Sequence, residues 1–234
     1  MKKLMILVMA VFVGSCVTAS VENTQKATAH YKLGLSYYGE NNIQKAFVEL
    51  QQAVELNPKD RDVLYMIGII YLLNYDDSPK AIDFFQKAVS VDPDFSEAHN
   101  NLGFAYEKSR KFNEAIDSYK KALSNLKYRS PEKAYNSLGR VYYRLGKYDE
   151  AIDAYNNSLK RMPELYISYY GLALCYNAKG RYGDASLAIS KAIEVDPVYK
   201  GSKSKAVNDL SQKKLDARGE EEKDIADWLE ILKY

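Results

Sequence analysis

The side chains that could act as ligands or nucleophiles are few: His30, His99, Cys16 and Cys175, in a chain of 234 residues. Metal capture or acid–base chemistry needs such groups to converge on one site. These four are scattered, and Cys-x-x-Cys, His-Glu-x-x-His, Gly-x-Ser-x-Gly, a phosphate loop and a dinucleotide fingerprint are all missing. His30 and His99 occupy the same place in two first helices, where Leu64, Tyr135 and Tyr169 stand elsewhere, so a packing role is expected of both. Cys175 sits at a small helical position and reads as a structural thiol. The expectation is a protein without catalytic residues, metal, cofactor or small-molecule substrate.

Charge excludes another class. Lys and Arg number 33 and Asp and Glu 31, a formal balance of +2, with no concentrated positive charge to hold nucleic acid phosphates. Residues 1–15 read as a signal peptide, with Lys2 and Lys3 ahead of a short apolar run and small residues before Cys16. The run is too short for a permanent membrane span. The tetrapeptide Val13-Gly14-Ser15-Cys16 resembles the lipobox of bacterial lipoproteins. That resemblance implies cleavage before Cys16 and lipidation of it; an ordinary secretory signal containing a cysteine is the alternative. Two or three acyl chains would anchor the chain stably to a membrane. Residues 16–26 then form the lipidated cysteine and a tether, and acylation leaves Cys175 without a disulfide partner. Val17 after the cysteine, where enterobacterial lipoproteins retained at the inner membrane carry Asp, points by the same resemblance to the outer membrane facing the periplasm, within a bacterial envelope.

What must position any functional side chains is a repeat. Counting Ala27 as position 1, position 8 falls on Gly34, Gly68, Gly103, Gly139 and Ala173. Position 20 falls on Ala46, Ala81, Ala115, Ala151 and Ala185, and position 11 on Tyr37, Tyr71, Tyr106, Tyr142 and Tyr176. Small residues let two antiparallel helices approach closely, while the tyrosine and an apolar position 24 (Leu50, Phe85, Tyr119, Tyr155, Ile189) fill the space around them. Prolines 58, 93, 163 and 197 end the second helices, Pro79 opens a helix that Asp77 or Ser78 can cap, and the third repeat departs with a delayed Pro131. This pattern is identified as the tetratricopeptide repeat. It predicts an all-α, right-handed superhelical solenoid of five repeats, 27–60, 61–95, 96–131, 132–165 and 166–199, followed by a degenerate capping helix pair over 200–234. The acidic run Glu220-Glu221-Glu222-Lys223-Asp224 suits a helix N-terminus.

Function in such a stack lies on the face lined by the first helices, at positions 2, 5, 9, 12 and 13. In the first two repeats these positions supply Tyr31, Leu35, Tyr38, Tyr65, Ile69, Leu72 and Leu73, an apolar strip that reads as a protein-binding groove or, alternatively, as surface covered by superhelical packing. Asn100, Lys133, Asn136, Arg140 and Arg144 form a polar and basic stripe that is kept as a secondary groove, its plainer reading being a solvated face.

Lipobox, repeats, Asn100-Asn101-Leu102-Gly103-Phe104-Ala105-Tyr106-Glu107 and the extension Ser124-Asn125-Leu126-Lys127-Tyr128-Arg129-Ser130-Pro131-Glu132 together resemble the type IV pilus pilotin lipoproteins, the PilF/PilW/Tgl group. The resemblance implies a membrane-anchored scaffold that assists outer-membrane secretin assembly, with a secretin subunit as the protein partner received on the first repeats. A general envelope adaptor recruiting proteases or peptidoglycan hydrolases is the alternative.

Overall fold

A computed structural model describes the backbone of residues 2–233 and the side chains of residues 21–233. The expected signal peptide, residues 1–15, and the Cys16 side chain therefore lie outside the described side chains. All regular structure among the described residues is helical, in twelve helices. Two compact units divide the chain, Met1–Ser109 and Arg110–Tyr234.

The first unit contains α1 (Lys2–Gly39), α2 (Ile43–Leu56), α3 (Arg61–Leu73), α4 (Ser78–Val91) and α5 (Ser96–Lys108). Local chemistry ends and restarts the chain at each turn. Asn42 caps α2 through the Lys45 N–H, Asp60 caps α3 through the N–H groups of Asp62 and Val63, and Asp77 caps α4 through Lys80. Pro79 stands in the first turn of α4, as its fixed φ favours. Tight packing follows from the small positions. A Cβ on Gly34 would lie 2.9 Å from Leu50 Cγ, and one on Gly68 would lie 2.7 Å from the Phe85 ring. Only glycine admits those side chains, which are fully buried. Ala46, Leu50, Ala53, Val63, Ile67 and Ile70 form one apolar cluster; Ile69, Leu72, Ala81, Phe85, Leu102 and Ala105 form the next.

The second unit contains α6 (Phe112–Ser124), α7 (Pro131–Arg144), α8 (Tyr148–Arg161), α9 (Tyr166–Ala178), α10 (Tyr182–Val195), α11 (Lys203–Asp216) and α12 (Glu220–Ile231). The turns after α7 and α9 need a positive φ, supplied by Gly146 (φ 71°) and Gly180 (φ 70°). Tyr155 of α8 is held between two helices: a Cβ on Gly139 of α7 would meet its ring at 2.8 Å, and one on Gly171 of α9 at 2.2 Å. Gly171 is not a signature position: it stands at position 6 of the fifth repeat and meets the position 24 tyrosine of the preceding repeat, a contact between repeats. Helices α11 and α12 form the terminal pair, with Glu220, Glu221 and Glu222 in the first turn of α12.

Candidate protein-binding faces

In the first unit the expected groove residues separate by burial. Tyr31, Tyr38 and Tyr65 are half-buried with their phenols close enough to perturb one another, and Leu35 is 37% exposed. Ile69, at 9%, barely reaches the surface, and Leu73 stands at 59%. Leu72 is 1% exposed and packs with Phe85 and Leu102, so it is a core residue and not a groove residue. The reason is its place one residue before the end of α3, where α4 and α5 close over it.

The strip is aromatic with an acidic border. The Tyr65 hydroxyl accepts a hydrogen bond from Asn101 Nδ2 at 2.9 Å, and its ring lies 5.1 Å from Phe95 and 5.8 Å from Phe85. Burial, reinforced by Glu97, holds the Tyr65 phenol above its usual pKa. Tyr31 is raised by burial, then by Asp62 and Asp60. Both phenols therefore stay protonated at neutral pH, flanked by carboxylates.

The basic stripe is less of a unit than its spacing suggests. Asn100 belongs to the first unit, whereas Lys133, Asn136, Arg140 and Arg144 belong to the second. Asn136 is buried and donates from Nδ2 to Ser168 Oγ at 2.9 Å. Ser168 passes a bond to Ser158 Oγ (2.9 Å) and Ser158 one to the Glu132 carbonyl (2.8 Å), a closed internal chain that ties α7, α8 and α9 together. Asn136 is thus an interior strut, unavailable to a ligand. Lys133 is exposed.

Arg144 is also taken, by α12. Its Nη1 donates to Asp224 Oδ1 at 2.7 Å while Nη2 donates to the other oxygen, and its Nε lies 3.1 Å from Glu220. Trp228 Nε1 donates to the Tyr170 carbonyl at 3.1 Å, its ring 5.1 Å from that of Tyr170. Arg140, Tyr166, Tyr170, Asp196, Leu210 and Trp228 border a half-open cavity of about 600 Å³ beside α12. Sequence reasoning placed α12 as a cap and missed that it sits on the inner face of α7 and α9; the lone tryptophan among acidic residues was the available signal.

The titratable candidates have structural partners. His30 Nδ1 is 2.7 Å from Glu49 Oε2, linking α1 to α2, and His99 Nε2 is 2.9 Å from the Pro93 carbonyl. Both are half-buried. Cys175 is buried, and burial pushes its thiol up to about 12. Among the described residues no group of His, Cys, Asp or Glu could hold a metal ion, and no helix is long and apolar enough to cross a membrane.

Comparison with known proteins gives three tetratricopeptide repeat matches, at residues 27–60, 94–164 and 136–198, which together span more than half of the chain. The type IV pilus assembly protein PilF of Pseudomonas aeruginosa is 28% identical over 140 residues, 56% of this chain and 54% of that protein. The photosystem I assembly protein Ycf3 of Cuscuta gronovii is 36% identical over 81 residues, 33% of this chain and 48% of that protein. The chain thus spans about half the length of the curated relatives it matches. Among solved structures, MamA superposes with a TM-score of 0.65 at 26% identity, covering 74% of this chain and 96% of that one. PilW, a type IV pilus biogenesis factor, superposes with a TM-score of 0.69 at 21% identity, covering 88% and 90%, and so shares the fold.

Proposed function

We propose, on the premise that this chain belongs to the tetratricopeptide repeat proteins, that it is a pilotin-like scaffold, lipid-anchored through Cys16, whose first two repeats receive a secretin subunit at the outer membrane. The observation that carries the reading is the strip of Tyr31, Leu35, Tyr38 and Tyr65, aromatic and aliphatic side chains left partly open on the face that the first helices line. Such a strip exposed in isolation marks a protein partner. Similarity to the type IV pilus assembly protein PilF supports a role in such an assembly, and the resemblance to pilotins is what suggests a secretin subunit. The mechanism is one of capture: a secretin segment buries its apolar side against the tyrosines, gaining about 25 cal/mol per Å² before the costs of association, and the anchor carries it to the membrane.

A second reading, a general adaptor for envelope enzymes such as proteases or peptidoglycan hydrolases, is favoured by the breadth of the likeness, which extends to the photosystem I assembly protein Ycf3 and to MamA.

A photoreactive side chain placed at Tyr38 separates the two. Crosslinking in membranes is expected to capture secretin, and the captured complex is expected to be mislocalised in a Cys16→Ser variant. Capture of hydrolases or proteases instead moves the assignment to the adaptor.

A further inference from the structure

The chain itself shows how one of its faces holds a helix. Helix α12 packs against α9, α10 and α11 with Ile225, Ile231 and Leu232 buried, its Trp228 ring tilted against that of Tyr170 and its Asp224 bonded to Arg144 of α7. Its acidic start meets a basic surface: Asp224 and Glu220 engage Arg144, and Glu220 reaches Arg110 at 3.0 Å. An amphipathic helix with carboxylates in its first turns is therefore the shape and charge that the second unit accepts.

The first unit repeats the apolar part of this face but borders it with different charges. Tyr170 is position 5 of its repeat, and Tyr31 and Tyr65 hold that position in the first two; Leu174, at position 9, corresponds to Leu35 and Ile69. The apolar docking surface is thus the same in kind. At position 2, where the second unit has Lys133 and Ile167, the first has Thr28, Asp62 and Glu97, with Asp60 adjacent. These carboxylates lie close enough to the tyrosines to act on their phenols, Asp62 and Asp60 on Tyr31 and Glu97 on Tyr65.

We infer that the first face binds a basic amphipathic helix, its lysines or arginines set against Asp62 and Glu97 and its aliphatic or aromatic side chains laid on Tyr31 and Tyr65. This rests on the reading of that face as the partner site and adds the partner's sign and shape. The open face would then reject an acidic helix such as the one its neighbouring unit already holds.

The test uses the full-length protein and two labelled peptides in fluorescence anisotropy. One has the sequence of residues 220–232; the other keeps its apolar side chains and replaces every Glu and Asp by Lys. The basic peptide is expected to bind about tenfold more tightly than the acidic one, to lose most of that advantage in the Asp62→Asn/Glu97→Gln variant, and to weaken near 1 M salt, where the screening length falls to about 3 Å. Equal or tighter binding of the acidic peptide, or no binding of the basic one, overturns the inference. So does unchanged affinity in the neutralised variant. The groove itself is tested separately by Leu35→Gln, an uncharged change at an exposed position, with circular dichroism as the control for folding. Loss of binding there with an indifferent response to Asp62→Asn/Glu97→Gln keeps the groove and discards the charge rule; basic-peptide binding untouched by Leu35→Gln discards both.

Discussion

Arg144 of α7 and Asp224 of α12, 80 residues apart in the chain, form a two-pronged ion pair with little solvent around it, their side chains 16% and 11% exposed. A guanidinium fork matches a carboxylate in this geometry, and Glu220 takes the remaining Nε–H side. The pair converts a terminal helix into a fixed part of the second unit's inner face. Because it is largely desolvated, removing one partner leaves the other charge enclosed without compensation. Arg144→Ala is expected to lower unfolding stability by about 3 kcal/mol, and Arg144→Ala/Asp224→Ala to cost less than the two single changes together. Urea denaturation of the four proteins in the cycle measures this; strict additivity would mean that the pair is not coupled.

The ring of Tyr155 leaves no room at Gly171. A methyl group there would sit 2.2 Å from Tyr155 Cζ, and the ring is also packed close to Gly139, where an added Cβ would lie 2.8 Å from it. Gly171→Ala is therefore expected to destabilise by about 3 kcal/mol, at the upper end for overpacking, although alanine is the better helix former. The midpoint of urea unfolding reads the effect. A neutral result would show that Tyr155 has another rotamer available.

Leu35 and Leu72 look alike in the repeat and differ in the fold. Leu72→Ala, at 1% exposure, is expected to cost about 3 kcal/mol in stability, whereas Leu35→Ala, at 37% exposure, should cost under about 1 kcal/mol. Partner capture should respond in the opposite order once folding is controlled for. Parallel denaturation and crosslinking of the two variants provide the comparison.

Cys175 gives a pH-dependent readout. Burial raises its thiol from the usual 9.0 to about 12, so the unfolded chain loses this proton first as pH rises. The stabilisation is complete below pH 9 and declines as pH climbs from 9 toward 12. The parent is expected to lose stability over that window more steeply than Cys175→Ala. In a Cys16→Ser background the folded protein should also resist a thiol reagent near pH 8 and react only on unfolding. Rapid labelling of the native protein would refute the burial.

Much of this molecule is written in short-range pattern. The Gly34–Leu50, Gly68–Phe85 and Gly139–Tyr155 contacts each join residues 16 or 17 apart within one helix pair, and the caps at Asn42, Asp60 and Asp77 act across three residues or fewer. Spacing alone therefore determined that the chain is all-helical and which residues face inward within a pair. Tertiary structure decided what lies between pairs. Whether an apolar residue on the inner face stays open, as Leu35 does, or is closed over, as Leu72 is, depends on the helices of the following repeat. The approach of Tyr155 to Gly171 depends on how α8 meets α9, and the seat of α12 on Arg144 and Tyr170 depends on a contact spanning 80 residues. A local repeat constrains dihedrals and near neighbours, because these are settled by residues that are always close in the chain. Long-range burial is settled by which distant surfaces fit in shape and charge, and only the folded unit brings those surfaces together.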